Sequence, residues 1–195
     1  MPSIQNLVAD LNNGSIVGVG ASPSSDLENN FRVISDTHKV KYSFVHMKAS
    51  ISGTNKLIMA AAMMSIDFNG SYLHYDAAWS TIANMDVNRR IIASGNFSGC
   101  MFKVFKASAG AFKCAHISRP GTDADRLVGL MDNYAASQGW TEVRAVPTVG
   151  LIGTNGCTGI ICVSYLITNG QIQTIRLQVN SLGIIVGKTM WTDAV

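Results

Sequence analysis

Ser94-Gly-Asn-Phe-Ser-Gly-Cys100 leads into Met101-Phe-Lys-Val-Phe105 and, after a short turn, Ala111-Phe-Lys-Cys-Ala-His-Ile117. The two apolar runs predict the strands of a β-hairpin, and residues 106–110 are small and turn-like. A turn centred on Ser108 places Cys100 directly opposite His116. Opposed residues have Cβ atoms about 4.5–5.5 Å apart, so a thiol and an imidazole can meet there. A slip of one residue in the pairing would put the two side chains on opposite faces.

Cysteine and histidine in this arrangement predict nucleophilic catalysis. A thiolate attacks, and a histidine keeps it ionised and later protonates the leaving group. Residues 91–122 contain no Asp or Glu but carry four basic side chains, which we expect to lower the pKa of the cysteine: Lys103, Lys106, Lys113 and Arg119.

The remaining members of the predicted site come from the segment before Cys100. With no carboxylate nearby, Ser94 or a backbone carbonyl is expected to orient the imidazole. The bend at Ser98 and Gly99 is expected to aim backbone N–H groups at a developing oxyanion.

The other cysteines and a purely structural role stand as alternatives. A cysteine on a strand is most often a small buried apolar residue. Cys114 lies two residues before His116, so it shares the face of that histidine and is a rival nucleophile. Cys157 and Cys162 are interpreted as reduced thiols, with a disulfide as the alternative if the chain is secreted.

The pattern Ser94-x5-Cys100-x15-His116 resembles that of the bacterial cysteine glutamine deamidases. That group includes the catalytic domain of cytotoxic necrotizing factor, the Burkholderia lethal factor toxin and the chemoreceptor glutamine deamidase. Their cysteine follows a Gly- or Ser-rich corner, and their histidine lies on the next strand. In two of the three, a residue with a hydroxyl group lies six positions before the cysteine. Ser94 occupies this position here, where the group is associated with a threonine. The resemblance covers residues 94–121.

The resemblance implies an α+β fold with a β-sandwich-like core and an activity without metal or organic cofactor. Cys100 would attack a glutamine side chain of a protein substrate, and His116 would act as base and then as acid. Known targets of the group are Rho-type GTPases, an RNA-helicase translation factor and chemoreceptors. A bacterial toxin or effector is therefore the predicted class of protein.

The composition bounds these expectations. A chain of 195 residues with 47% hydrophobic and 14% charged residues predicts one compact domain, residues 1–195. The net charge of +3 is dispersed, which argues against nucleic-acid binding. No stretch reaches the roughly 20 apolar residues that span a bilayer, and no standard signal peptide is visible. The predicted location is the producer's cytoplasm, or a host cell reached by another export route.

Periodicity predicts a mostly antiparallel β-protein with two or three helices. Helices are expected over residues 2–12 and from Thr122 or Asp123 to Gln138. Hairpins are expected at Asn69-Gly70 and Asn169-Gly170, and at Asn155-Gly156 in a Gly-rich stretch. Residues 142–149 are expected at a sheet edge because Pro147 interrupts them. Residues 76–90 are expected to be irregular, and residues 55–65 fit either a helix or a buried strand.

Two alternative functions belong to other classes. A papain-like peptidase uses the same pair of residue types but normally places its histidine much farther from its cysteine. A non-enzymatic β-rich binding domain would use Cys100 and His116 only for packing.

Overall fold

The computed structural model describes the backbone of six segments before residue 75, namely 16–19, 27–35, 38–43, 46–52, 56–60 and 68–73, and then most of residues 75–194. Gaps in this last part are residues 76, 78, 89, 109, 120, 122–123 and 168–169. Side chains are described from residue 72 onward, with gaps of one to three residues. The helix predicted over residues 2–12 lies outside the described residues.

The first sheet has eight strands. Their spatial order is β1 (Ile16–Val19), β5 (Lys56–Ala60), β4 (His46–Ser52), β6 (Phe68–Leu73), β8 (Ile91–Phe97), β12 (Gly159–Leu166), β13 (Gln171–Val179) and β14 (Ile185–Ala194). Neighbours are antiparallel except for the parallel pairs β1–β5 and β6–β8.

The second sheet has six strands. Their spatial order is β11 (Thr141–Val146), β9 (Met101–Ser108), β10 (Ala111–Ile117), β7 (Trp79–Met85), β3 (His38–Ser43) and β2 (Leu27–Ser35). Only β3 and β7 pair in parallel. Two antiparallel-rich sheets match the predicted β-sandwich-like core.

The two sheets face each other across the main apolar core. Phe97 and Ile160 of the eight-stranded sheet and Phe102 and Cys114 of the six-stranded sheet belong to this one buried cluster. Alternate residues of a strand point to opposite faces, so β9 and β10 each send a second set of side chains outward. That outer face is buried too, which requires a further layer over the six-stranded sheet.

The helix α1 (Ala124–Ser137) supplies that layer. Met131 and Tyr134, one helical turn apart, pack with Ile82, Phe105 and Ile117 of the sheet. Lys103, buried on β9, ion-pairs with Asp132 of the helix at 2.7 Å and with Glu142 of β11 at 2.6 Å. The helix therefore covers the face of the six-stranded sheet that looks away from the other sheet.

Several predicted elements are confirmed. The helix lies within its predicted bounds. Strands β12 and β13 pair antiparallel around Asn169-Gly170. β11 is an edge strand, as Pro147 suggested. Residues 56–60, left open between helix and strand, form β5.

Other predictions were wrong. No hairpin forms at Asn69-Gly70, because β6 runs through both residues and pairs with β4 on one side and β8 on the other. Residues 79–85 of the supposedly irregular segment form β7, whose pattern of buried residues is nearly continuous because both faces of its sheet are covered.

The Gly-rich stretch and the number of helices also differ from expectation. Asn155 and Gly156 lie in a 3₁₀ turn, Thr154–Gly156, between strands of different sheets, so they close no hairpin. Within the described ranges α1 is the one α-helix, where two or three were expected.

Candidate functional site

The predicted site residues lie where the chain crosses from one sheet to the other. Ser94 is on β8 of the eight-stranded sheet, and His116 is on β10 of the six-stranded sheet. Cys100 immediately precedes β9, after a bend at Ser98 and Gly99. The sequence predicted this bend, and the chain passes from the eight-stranded sheet to the six-stranded sheet at this point. Backbone connectivity thus brings a serine of one sheet towards a histidine of the other.

The register of the hairpin differs from the prediction. His116 pairs with Phe102, not with Cys100, because Ser108 pairs with Ala111 and the turn therefore lies beyond Ser108 instead of being centred on it. A bulge between Ala111 and Phe112 then shifts the pairing by one residue. Cys100 comes just before the last pair, so alternation keeps it on the face of Phe102 and His116. It packs against the core between the sheets. Cys100 and His116 are therefore diagonal neighbours. In an antiparallel ladder such residues are about 7–8 Å apart between Cα atoms, a distance that a long or aromatic side chain can span.

Ser94 contacts His116 through its hydroxyl group. The Ser94 Oγ lies 2.8 Å from His116 Nδ1 and donates its hydrogen to the Leu73 carbonyl, also at 2.8 Å. A hydroxyl has one hydrogen to donate, so Nδ1 must supply the hydrogen of the second bond. In the neutral imidazole Nε2 is then the basic nitrogen. Of the two orienting groups considered from sequence, the Ser94 hydroxyl is the one that touches the ring.

Aromatic side chains fix the plane of the imidazole. The His116 ring stacks on Phe97 with centroids 4.0 Å apart and planes 20° apart. The centroid of the Tyr75 ring lies 5.7 Å from that of His116, and the two planes are tilted by 48°. His116 is only 1% exposed, whereas Tyr75 is 51% exposed. The imidazole thus lies against Phe97, Tyr75 and Ser94, and of these three residues Tyr75 is exposed.

Cys100 is held by residues that follow two other strands. The Thr148 hydroxyl, beyond the end of β11, donates to the Cys100 carbonyl. The backbone N–H of Arg119, beyond the end of β10, bonds to the Cys100 thiol. Burial raises the pKa of this thiol, and that bond and the positive charge of Arg119 oppose the rise without cancelling it.

The expected lowering of the Cys100 pKa was therefore wrong. Lys103, one of the basic residues invoked, points away from the site and pairs with carboxylates beside the helix. Burial destabilises the Cys100 thiolate more than the positive charge of Arg119 stabilises it. The resting thiol is neutral near pH 7.

The remaining cysteines are less suited to attack. Cys114, Cys157 and Cys162 are buried, and all four cysteines are free, so the alternative of a 157–162 disulfide was wrong. Burial strongly raises the thiol pKa of Cys114 and of Cys162. Cys114, the rival nucleophile, also hydrogen-bonds with Ser164.

The predicted oxyanion donors sit at the corner itself. Ser98 is exposed and Gly99 is partly buried. The Gly99 carbonyl accepts a hydrogen bond of 3.4 Å from the Arg119 guanidinium, which in turn pairs with Asp125 at 2.7 Å. Oxyanion stabilisation by the Ser98 and Gly99 N–H groups stays a prediction.

Sequence reasoning missed two residues that hold Cys100. Arg119 was counted only as a positive charge, although its position just after the histidine strand places its backbone beside the thiol. Thr148 lies 48 residues from Cys100, and no local pattern connects them.

In the part of the chain that the structure describes, no three His, Cys, Asp or Glu side chains are grouped so as to hold a metal ion. Nor does that part contain a helix long and apolar enough to cross a membrane. A scan against protein-family models and a search of curated proteins gave no match to this chain.

Proposed function

We propose that this protein is a cysteine-dependent glutamine deamidase that acts on a side chain of a protein substrate, as a bacterial toxin or effector would. The observation that carries the proposal is the hydrogen bond from His116 Nδ1 to Ser94 Oγ, with the serine hydrogen committed to Leu73. This arrangement leaves Nε2 as the base, on the face of the hairpin that also carries Cys100.

The first half of the reaction forms a thioester. Because the resting thiol is neutral, His116 acts as general base and takes the proton while the Cys100 sulfur attacks the amide carbon of glutamine. Backbone N–H groups at Ser98 and Gly99 stabilise the oxyanion. The imidazolium then gives its proton to the amide nitrogen, the C–N bond breaks and ammonia leaves.

The second half hydrolyses the thioester. His116 takes a proton from a water molecule, and the resulting hydroxide attacks the thioester carbon. The C–S bond breaks, the thiolate recovers its proton from the imidazolium, and the product is glutamate. The Ser94 hydroxyl accepts from Nδ1 throughout, so the ring keeps one orientation and one tautomer between steps.

The layer structure supports a side-chain amide over a backbone amide as substrate. A peptidase needs a groove that holds an extended strand on both sides of the scissile bond. The helix that the structure describes covers the outer face of the six-stranded sheet, whereas Cys100 and His116 are on its inner face. That helix forms no groove wall for the site, and a single side chain entering from solvent needs none.

Two observations favour a non-enzymatic role as a second candidate. His116 is buried, stacked on Phe97 and bonded to Ser94, as a histidine that serves packing would be. Burial also raises the pKa of the Cys100 thiol. In this second function the β-rich domain binds a partner without reaction, and Cys100 and His116 only stabilise the fold.

The test compares the wild-type protein with Cys100→Ser in host-cell lysate, followed by analysis of tryptic peptides. Cys157→Ser is the matched control, since it changes a buried cysteine outside the proposed chemistry. Conversion of a specific glutamine to glutamate with wild type and Cys157→Ser, but not with Cys100→Ser, supports the deamidase. New peptide termini without conversion indicate a peptidase. No change in any peptide, with Cys100→Ser folded, favours the binding domain.

A further inference from the structure

Arg119 contacts the nucleophile's corner with both backbone and side chain. Its backbone N–H bonds to the Cys100 thiol. Its guanidinium donates to the carbonyl of Gly99, the residue before that cysteine, at 3.4 Å. One residue therefore touches the sulfur and the bend that aims it.

The Arg119 side chain is itself held in place. It is only 13% exposed and is anchored at 2.7 Å by Asp125, which is 97% exposed at the start of α1. Its Nε is buried and has no hydrogen-bond partner among the residues the structure describes. A buried donor without a hydrogen-bond partner is costly, so the hydrogen bonds of the guanidinium do not by themselves explain why it is buried here.

Among the residues that the structure describes, few charged groups lie near Cys100. Arg119, just beyond β10, is the charged residue that acts on its thiol. The titratable side chains on the same face of the hairpin are His116 and Cys114 of β10 and, six residues farther along β9, Lys106. Thr148, which approaches from the end of β11, carries no charge. Asp125 acts only through its pairing with Arg119. Arg119 is thus the main charged residue in the electrostatic environment of the Cys100 thiol.

We propose that Arg119 is the positioning residue of Cys100: its side chain fixes the Ser98–Gly99 bend and its charge stabilises the thiolate that forms during attack. The proposal rests on the proposed function only in taking Cys100 as the nucleophile. Asp125 weakens this stabilisation, because its negative charge partly offsets the positive charge that Arg119 presents to the thiol.

The experiment measures the rate of Cys100 alkylation by iodoacetamide from about pH 7 to about pH 11.5, a range that extends above ordinary thiol ionisation because burial raises the pKa of Cys100. The adduct on the Cys100 peptide is quantified by mass spectrometry in the wild type, Arg119→Gln, Arg119→Lys and Asp125→Asn. No deamidation is required for the readout, so its result is independent of whether a glutamine substrate is found.

We expect the midpoint of the rate profile to rise by about 1 pH unit in Arg119→Gln and to return towards the wild-type value in Arg119→Lys. Asp125→Asn should lower the midpoint, since it frees the full charge of Arg119. A merely structural role would change the rate at every pH and leave the midpoint in place, and that outcome in Arg119→Gln overturns the proposal. If Arg119→Gln does not fold, Asp125→Asn decides: a lower midpoint supports the proposal, and an unchanged or higher one overturns it.

Discussion

Ser94 and His116, on different sheets, are joined by a hydrogen bond of 2.8 Å whose direction is fixed by a third group, the Leu73 carbonyl. Because the serine hydrogen points to Leu73, the histidine must donate from Nδ1. The pair thus ties the two sheets together and sets the tautomer of a histidine that shares its face of the hairpin with Cys100.

Removing the Ser94 hydroxyl should lower the rate of deamidation. We expect Ser94→Ala to reduce turnover by up to about 100-fold, in the range general acid–base catalysis contributes, because His116 loses the group that fixes its tautomer. It should also lower the free energy of unfolding by about 1–3 kcal/mol, since two buried groups lose their partner. Turnover and chemical denaturation measure the two effects.

Ser164→Ala is the control for Ser94→Ala. Ser164 is equally buried and bonds to Thr174 at 2.9 Å on the neighbouring strands. It should show a similar loss of stability with normal turnover, and Ser94→Thr should recover part of the wild-type rate. Equal turnover in Ser94→Ala and the wild type would remove Ser94 from the site.

Cys100 should be the first of the four cysteines to be alkylated, because the other three are buried. Since burial raises the thiol pKa above its ordinary 9.0, the thiolate fraction grows only as the pH passes the raised value. The Cys100 rate should therefore still be rising above about pH 9. Peptide mapping of iodoacetamide adducts checks both statements; earlier labelling of Cys114 or Cys157 would contradict the assignment of the nucleophile.

Thr148 should matter for the position of Cys100. Thr148→Val keeps the shape of the side chain but removes the hydroxyl that donates to the Cys100 carbonyl. We expect the free energy of unfolding to fall by about 1 kcal/mol and turnover to fall about tenfold, because a small displacement of a nucleophile is costly. Thr174→Val, the same change at a buried site that bonds to Ser164, is the control and should leave turnover unchanged.

The buried Lys103 should be stabilised by its two carboxylates jointly. Asp132→Asn or Glu142→Gln alone leaves one carboxylate on the ammonium and should lower the free energy of unfolding by about 1 kcal/mol. The double variant leaves the charge buried without an anion and should cost about 3–5 kcal/mol, more than the sum of the single changes. Denaturation of the four proteins tests this; simple additivity would contradict it.

The same cluster predicts a dependence of stability on pH. Burial opposes the charged form of Lys103, but the bonds to Asp132 and Glu142 outweigh it and raise the pKa above its ordinary 10.5. A raised lysine pKa stabilises the fold fully below the unfolded value and loses that contribution as pH rises through the folded value. The difference in unfolding free energy between the wild type and Lys103→Met should therefore shrink above about pH 10.5.

Local patterns in the sequence determined the elements that depend on neighbouring residues. The stripe that includes Leu127, Met131 and Tyr134 defines α1, and Asn169-Gly170 sets the hairpin of β12 and β13. The bend at Ser98 and Gly99 could likewise be predicted, since these two small residues lie between two apolar runs. These features follow from helical and strand periodicity and from turn chemistry, which act over a few residues.

Only the tertiary structure decided how these pieces meet. Asn69-Gly70 has the composition of a turn, yet pairing on both sides holds it inside β6. The turn between Ser108 and Ala111 and the bulge after Ala111 together place Cys100 diagonal to His116 instead of opposite it, because register depends on the whole ladder. Burial, a property of packed layers, reversed the expected direction of the Cys100 pKa. The sequence by itself placed Ser94, Cys100 and His116 on one short segment, and the packing of two sheets decided that a serine hydroxyl orients the histidine.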